Sequence, residues 1–135
     1  MSNKITFKIF SIDGKLYTDE VDALYFNVPS SGVIGLLPDH LPYTAMLDIG
    51  TFYIVKNNEK TYFAISDGLL NFKDNEAIIL TGTYEKEDEL DKERIEKDRE
   101  RALNLLSSLD KKDTEAYENA SFSLKKAINR LKLLK

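Results

Sequence analysis

Two periodicities divide this chain. Up to about residue 84, apolar side chains come in short runs with strand-like alternation. Beyond it they recur at every third or fourth position. Ile5, Phe7 and Ile9 alternate with Thr6, Lys8 and Phe10, and Asp13-Gly14 then marks a hairpin turn. Leu16-Tyr17-Thr18 resumes the sheet, and a run from Val21 to Val28 stops at Pro29. Tyr43 to Asp48 is a short strand ending at Ile49-Gly50. Thr51 to Lys56 and Lys60 to Ser66 form a hairpin around Asn57-Asn58-Glu59, and Asp67-Gly68 turns the chain into Leu69-Leu70-Asn71-Phe72. Asp74-Asn75 leads into Ala77 to Thr81. Strands so short and evenly spaced predict a β-sandwich or flattened barrel. Its inner residues are expected to include Phe7, Ile9, Val28, Leu36, Ile54, Phe63, Ile65, Leu70, Ile79 and Leu80.

The stretch Ser31-Gly32-Val33-Ile34-Gly35-Leu36-Leu37-Pro38-Asp39-His40-Leu41-Pro42 interrupts this pattern with two glycines and two prolines. Proline fixes φ and disfavours helix at the residue before it, so Leu37 and Leu41 are expected to be non-helical. The stretch reads as a shaped loop with apolar side chains beneath it, either a tight sheet corner or a place where the fold meets a partner.

All six glycines and all three prolines lie at or before Gly82, and their absence afterwards permits long helices. A boundary is expected near Gly82–Glu87. The next segment, Glu85 to Arg101, is densely charged with both signs. Asp91/Arg94, Glu93/Lys97, Glu96/Arg99 and Asp98/Arg101 sit at helical spacing, so the helix pairs its own charges. Its apolar stripe is thin: Ile95, Ala102, Leu103, Leu106 and Leu109. Ser107 to Asp113 reads as a loop, and Asp113 or Thr114 as the cap of a second helix. That helix carries Ala116, Ala120, Leu124, Ala127, Ile128, Leu131 and Leu134 on one side, with basic residues crowding its end. The fold class expected is a β-sandwich over residues 1–84, followed by an antiparallel α-helical hairpin over residues 87–135. Two helices bury little, so the hairpin is expected to rest on the sandwich or on a partner.

Composition narrows the chemistry. The 135 residues have 42% hydrophobic and 31% charged content, which fits a folded domain rather than disorder. A net charge of −4 leaves no basic footprint for nucleic acid. There is no cysteine, so disulfides and thiolate chemistry are excluded. His40 is the single histidine, which excludes a multi-histidine metal site, and no metal site is expected. No nucleophile elbow, phosphate loop or dinucleotide fingerprint occurs, and no catalytic residue is assigned. No apolar run reaches the ~20 residues of a membrane span. Strand-like alternation begins almost at the first residue, so no signal or transit leader is expected.

The order of motifs resembles one family, the epsilon subunits of F-type ATP synthase. Gly32-Val33-Ile34-Gly35-Leu36-Leu37-Pro38-Asp39-His40-Leu41-Pro42 resembles its G-x-(L/I)-G-(I/L)-x-P-G-H-x-P stretch. Leu47-Asp48-Ile49-Gly50 matches the L-x-x-G that follows, and Ser66-Asp67-Gly68-Leu69-Leu70 is similar to its (S/G)-G-(G/F)-(I/L/F) turn. Leu90-Asp91-Lys92-Glu93-Arg94-Ile95 is similar to the (I/L)-D-x-x-R-A motif opening its first helix. Lys125-Lys126-Ala127-Ile128-Asn129-Arg130-Leu131 resembles its closing K-(R/K)-A-x-x-R-L.

This resemblance implies a non-catalytic subunit at the foot of the rotary central stalk, coupling rotation of the c-ring to the catalytic head during ATP synthesis and proton transport. Its sandwich is implied to bind the gamma subunit and the c-ring. Gly32, Val33, Gly35, Pro38, His40 and Pro42 are implied to form the contact loop. Its hairpin is implied to inhibit ATP hydrolysis when extended towards the beta subunits. No cofactor is implied as required, but ATP is implied as a regulatory ligand in several bacterial members. The matching positions are Glu85, Asp91, Arg94, Arg101, Lys126 and Arg130, where an acid holds the adenine amino group or the arginines and the bases meet phosphates. Lys126 stands where arginine is common in ATP-binding members. Ile95 replaces the motif alanine, and Asp39 replaces the loop glycine. The implied location is peripheral, at the cytoplasmic face of the bacterial plasma membrane. The alternative from another class is a stand-alone ATP sensor whose hairpin closes on nucleotide. A β-sandwich binder of sugar or peptide is a third reading without motif support.

Overall fold

The computed structural model describes residues 4–28, 32–110 and 112–134. The chain divides into two compact units, Met1–Glu87 and Asp88–Lys135.

The first unit is a two-sheet sandwich. Its strands are β1 (Ile5–Ser11), β2 (Leu16–Val21), β3 (Ala23–Val28), β4 (Gly32–Leu36) and β5 (Tyr43–Leu47), then β6 (Gly50–Lys56), β7 (Glu59–Ile65), β8 (Gly68–Lys73), β9 (Glu76–Thr81) and β10 (Tyr84–Lys86). One sheet has the order β2-β1-β9-β8-β5, and the other β10-β7-β6-β3-β4. Every described pairing is antiparallel except β1 with β9. Two connections are two-residue hairpin loops, Asn57-Asn58 and Asp74-Asn75. All four of these residues have positive φ, from 51° to 66°. Such turns match the right-handed twist of the flanking strands, and Asn and Asp tolerate them.

The core lies between the sheets. Phe7, Phe63, Phe72, Ile5, Ile9, Leu24, Leu36, Ile54, Leu70, Ile79 and Val21 are its largest fully buried side chains. Phe52 and Phe63 stack with ring centres 4.8 Å apart, and Phe7 stands 5.8 Å from each. Rings from both sheets therefore interlock, which adds to the plain burial of area.

Four expectations need correction. The run Val21 to Val28 is two strands. Val21 pairs with Ile5 in one sheet and Ala23 with Val55 in the other, so the chain changes sheets at Asp22. Gly32–Leu36 is strand β4 rather than loop, because Gly35 lies under the Tyr25 ring of β3. A Cβ there would sit 2.7 Å from a ring carbon. Leu80, expected inside, is on the outer face and 51% exposed. The loop expected from Ser107 begins later. Ser107 and Ser108 donate to the carbonyls of Asn104 and Leu105, at 2.9 and 3.1 Å, and stay within the helix.

A short 3-10 turn (Glu87–Glu89) precedes α1 (Lys92–Ser108), and α2 (Thr114–Leu133) follows. Asp91 caps α1 by accepting from the Arg94 amide, and Asp113 caps α2 by accepting from Ala116. Glu93–Lys97 and Asp98–Arg101 approach as ion pairs at 3.8 and 3.6 Å. The buried residues are Ile95 and Ala102 on α1, and Ala120, Ala127 and Asn129 on α2. Ala102 and Ala120 lie at matching chain distances from the loop, as do Ile95 and Ala127, which is the pairing an antiparallel hairpin needs.

One polar knot secures the switch between sheets. Asp22 accepts from the Lys4 ammonium and, at 2.9 Å, from the Asn57 amide, while its own amide donates to the Val55 carbonyl at 2.7 Å. The Lys4 bond, then the Asn57 bond, hold the Asp22 carboxyl below the usual 3.8. A carboxyl lowered in the fold stabilises it above the unfolded value, and that contribution disappears as pH falls through the folded value. The variant Asp22→Asn is expected to be less stable than the parent at pH 7. It is also expected to lose less stability between pH 5 and pH 2, measured by urea unfolding at each pH. Parallel pH curves for the two proteins would refute this.

Candidate functional site

Strand register builds one surface that the sequence pattern did not announce. On the sheet containing β1, Leu16 pairs with Phe10, Phe10 with Leu80, Leu80 with Leu69, and Leu69 with Met46. These five side chains form a single row across all five strands on the outward face. Each is between 37% and 79% exposed. Their chain neighbours Ile9, Ile79, Leu70 and Leu47 point inward and are buried. A sheet with one wet face normally alternates apolar and polar residues along each strand. Here Ile9-Phe10, Met46-Leu47, Leu69-Leu70 and Ile79-Leu80 put apolar residues on both faces. Those doublets were the available signal. A contiguous exposed apolar stripe makes this face a candidate protein–protein interface.

The residues expected in a contact loop fall on two elements. Gly32, Val33 and Gly35 lie on the outer strand β4, with Val33 70% exposed. Gly32 adopts φ 77°, which suits glycine. Pro38, His40 and Pro42 lie in the true loop, residues 37–42, between β4 and β5. There the His40 amide donates to the Leu37 carbonyl at 3.2 Å. His40 Nδ1 lies 2.7 Å from the Leu41 carbonyl, which only accepts, so Nδ1 carries the proton. The imidazole stands edge-on to Phe72 and Tyr43, at 5.9 and 6.3 Å between ring centres. His40 therefore braces the loop onto β8 and β5. Leu41, beside it, is 77% exposed.

Next to β4, aromatic rings cross the outer face of the other sheet. Tyr25 stacks on Tyr53 and Tyr53 approaches Tyr62, each pair at 5.1 Å. The Lys60 ammonium lies 4.8 Å from the Tyr53 ring centre.

The six positions suggested for ATP are spread over both units. Glu85 is on β10, paired with Ala64. Asp91 and Arg94 form the first turn of α1. Asp91 already uses one carboxylate oxygen as the helix cap, 3.3 Å from the Arg94 amide. Arg101 lies two turns further on, roughly 10 Å along the axis, beside Asp98. Lys126 and Arg130 are one turn apart near the end of α2, and the Lys126 ammonium sits over the Phe122 ring at 5.0 Å. The hairpin topology thus puts Asp91, Arg94, Lys126 and Arg130 at its open end and leaves Arg101 nearer the middle.

Comparison with known proteins agrees with this architecture. Residues 4–87 match the family described as ATP synthase, Delta/Epsilon chain, beta-sandwich domain, and residues 88–135 match its long alpha-helix domain. An ATP synthase epsilon chain of Herpetosiphon aurantiacus is 33% identical over 132 residues, covering 97% of this chain and 94% of the relative. One from Levilactobacillus brevis is 29% identical over the same shares of the two chains. Among solved structures, a chain of the Euglena gracilis mitochondrial ATP synthase has the same fold, with a TM-score of 0.79 at 20% identity, over 100% of this chain and 84% of that one. With both halves matched in order, and with the sandwich and the helical hairpin in place, the chain belongs to the epsilon subunits of the F-type ATP synthase family.

Proposed function

We propose that this epsilon subunit grips the gamma subunit through the apolar row Leu16–Phe10–Leu80–Leu69–Met46. The loop 37–42, together with Val33, is the part turned to the c-ring. The observation that carries this reading is the row itself. Fully burying a Leu or Phe side chain stabilises by about 1.5–3 kcal/mol, so removing five half-exposed ones from water contributes roughly 4–8 kcal/mol. That magnitude is comparable with the lower estimates for the cost of association, about 4 kcal/mol upward. The subunit is a non-catalytic part of the central stalk, and on this proposal its sandwich is the part that grips the shaft.

The hairpin serves as the regulatory arm. When extended towards the beta subunits it opposes rotation in the hydrolytic direction. ATP at its open end, held by Arg94, Lys126 and Arg130, favours the folded form. The support for this is the gathering of three cations at one end of a two-helix unit. Lys126 offers a point charge where an arginine would offer a fork, so the affinity expected is weak. No described helix is long and apolar enough to cross a membrane. The subunit meets the membrane only through the complex, on the cytoplasmic face.

Three outcomes check these statements. Leu80→Asp changes the centre of the row on an exposed position, so the thermal midpoint is expected to stay near the parent's. Affinity for gamma is expected to fall at least tenfold by surface plasmon resonance. An unchanged affinity removes the row from the interface. A chain ending at Glu87 keeps β10 paired with β7. It is expected to bind gamma as the parent does and to leave ATP hydrolysis by the catalytic head uninhibited. Full inhibition by this shortened chain would end the arm mechanism. Calorimetry with magnesium-free ATP is expected to show weak binding that disappears in Arg94→Ala and Arg130→Ala. Absence of heat at millimolar ATP would remove the nucleotide from the account and leave the rotor role untouched.

A further inference from the structure

Asp39 is the one residue of the loop 37–42 with a left-handed backbone, φ 68°. Most side chains resist that region, Asp and Asn less than others. The cost is normally avoided by glycine, the residue found here in the motif that the loop resembles. A specific contact offsets it in this chain. The Asp39 amide donates to Asn75 Oδ1 at 2.6 Å, and Asn75 Nδ2 donates back to Asp39 Oδ1 at 3.0 Å. The two bonds require the same amide orientation. With the Asn75 side chain reversed, two donors would face each other at one contact and two acceptors at the other.

Asn75 is itself constrained. It is the second residue of the Asp74-Asn75 hairpin loop, with φ 59°. Its backbone carbonyl accepts from the Thr6 amide at 2.8 Å. The hairpin between β8 and β9 is therefore tied to the start of β1 on one side and to the loop on the other. Inside the loop, the His40–Leu37 bond and the His40 ring on Phe72 and Tyr43 complete the brace. The exposed side chains this arrangement holds out are Leu37 and Leu41.

We propose that Asp39 and Asn75 are positioning residues, a reciprocal side-chain clasp that fixes the loop 37–42 on the β8–β9 hairpin and so presents Leu37 and Leu41 preformed to the c-ring. The second half of this statement rests on the reading that the loop meets the ring. A preformed loop loses less conformational freedom on contact than one that must first be ordered. Torque is also better transmitted through a contact whose backing does not yield.

The clasp is tested on the full-length chain by hydrogen exchange of the loop amides in four variants. Asp39→Asn keeps an acceptor for Asn75 Nδ2 and tolerates the backbone angle, so exchange at residue 39 is expected within twofold of the parent. Asn75→Asp sets two carboxylates face to face, and exchange there is expected to rise at least tenfold. Combining Asp39→Asn with Asn75→Asp restores one amide facing one carboxylate, and protection is expected to return to within threefold of the parent. Asn75→Gly suits the turn and lacks the side chain. It is expected to loosen the loop while the amides of Lys73 and Glu76 keep their protection. Unchanged exchange in Asn75→Asp, or a combined variant no better than Asn75→Asp alone, overturns the clasp. In the assembled complex, Asn75→Gly is expected to lower ATP-driven proton pumping at least threefold with gamma affinity unchanged. A loosened loop with unaltered pumping overturns the ring-contact reading, and with it the positioning role, while the clasp itself stands.

Discussion

The parallel pairing of β1 with β9 is the constraint on which the sandwich depends. Thr6 to Ser11 lie in register with Glu76 to Thr81, the two segments standing at opposite ends of the first unit's sequence. Closing so long a loop costs chain entropy before any contact offsets it. What offsets it is burial: Ile5, Phe7, Ile9, Ala77 and Ile79 are all fully removed from water. Side chains alternate along a strand with a period of two, so a slip of one residue would exchange the faces of every strand involved. The register that buries Phe7 and Ile9 is thus the one that puts Phe10 outside. It also sets Asn75 beside Thr6. Core, exposed apolar row and loop brace are consequences of a single alignment.

That alignment explains why the sheet is apolar on both sides. The interior demands Ile9, Leu47, Leu70 and Ile79, yet nothing in the packing demands Phe10, Met46, Leu69 and Leu80 next to them. Exposed single apolar residues are ordinary on protein surfaces, but a row spanning five strands is not. The other outward face carries Tyr25, Tyr53 and Tyr62, whose hydroxyls keep some affinity for water. The two sheets therefore offer unlike surfaces, and the row without a hydroxyl or charge is the one whose exposure is hardest to explain without a partner.

Much of this was legible in the sequence because it was local. Asn57-Asn58 and Asp74-Asn75 announce hairpins through their own backbone preferences, and the buried set Phe7, Ile9, Ile54, Phe63, Leu70 and Ile79 follows from alternation. The change from glycine and proline to unbroken helical spacing located the hairpin. Long-range facts were not legible. Leu80 looked internal because it extends an apolar run, and only its pairing with Phe10 and Leu69 places it outside. The break at Asp22 comes from a change of sheet, and β10 forms because Tyr84 to Lys86 find an open edge on β7. Gly32–Leu36 looked like loop because glycine is read as punctuation, whereas Gly35 makes room for Tyr25. Asp39 and Asn75 are far apart in the chain, and no spacing rule connects them.

The two units also differ in how firmly each is held. The sandwich buries large aromatic and branched side chains, each worth about 1.5–3 kcal/mol. The helices bury Ile95, three alanines and an asparagine. Removing an alanine methyl from water stabilises by less than about 1 kcal/mol, so the helical unit has a small reserve from packing. Its caps at Asp91 and Asp113 and its ion pairs act within one helix, and they persist whatever the helices rest on. The helices are thus stabilised locally, and few of their side chains are fully buried. An element built this way keeps its secondary structure when its partners change, and a ligand or a neighbouring subunit needs only a small differential affinity to shift it. The sandwich is therefore held by a core of large side chains between two sheets, and each helix chiefly by contacts within itself.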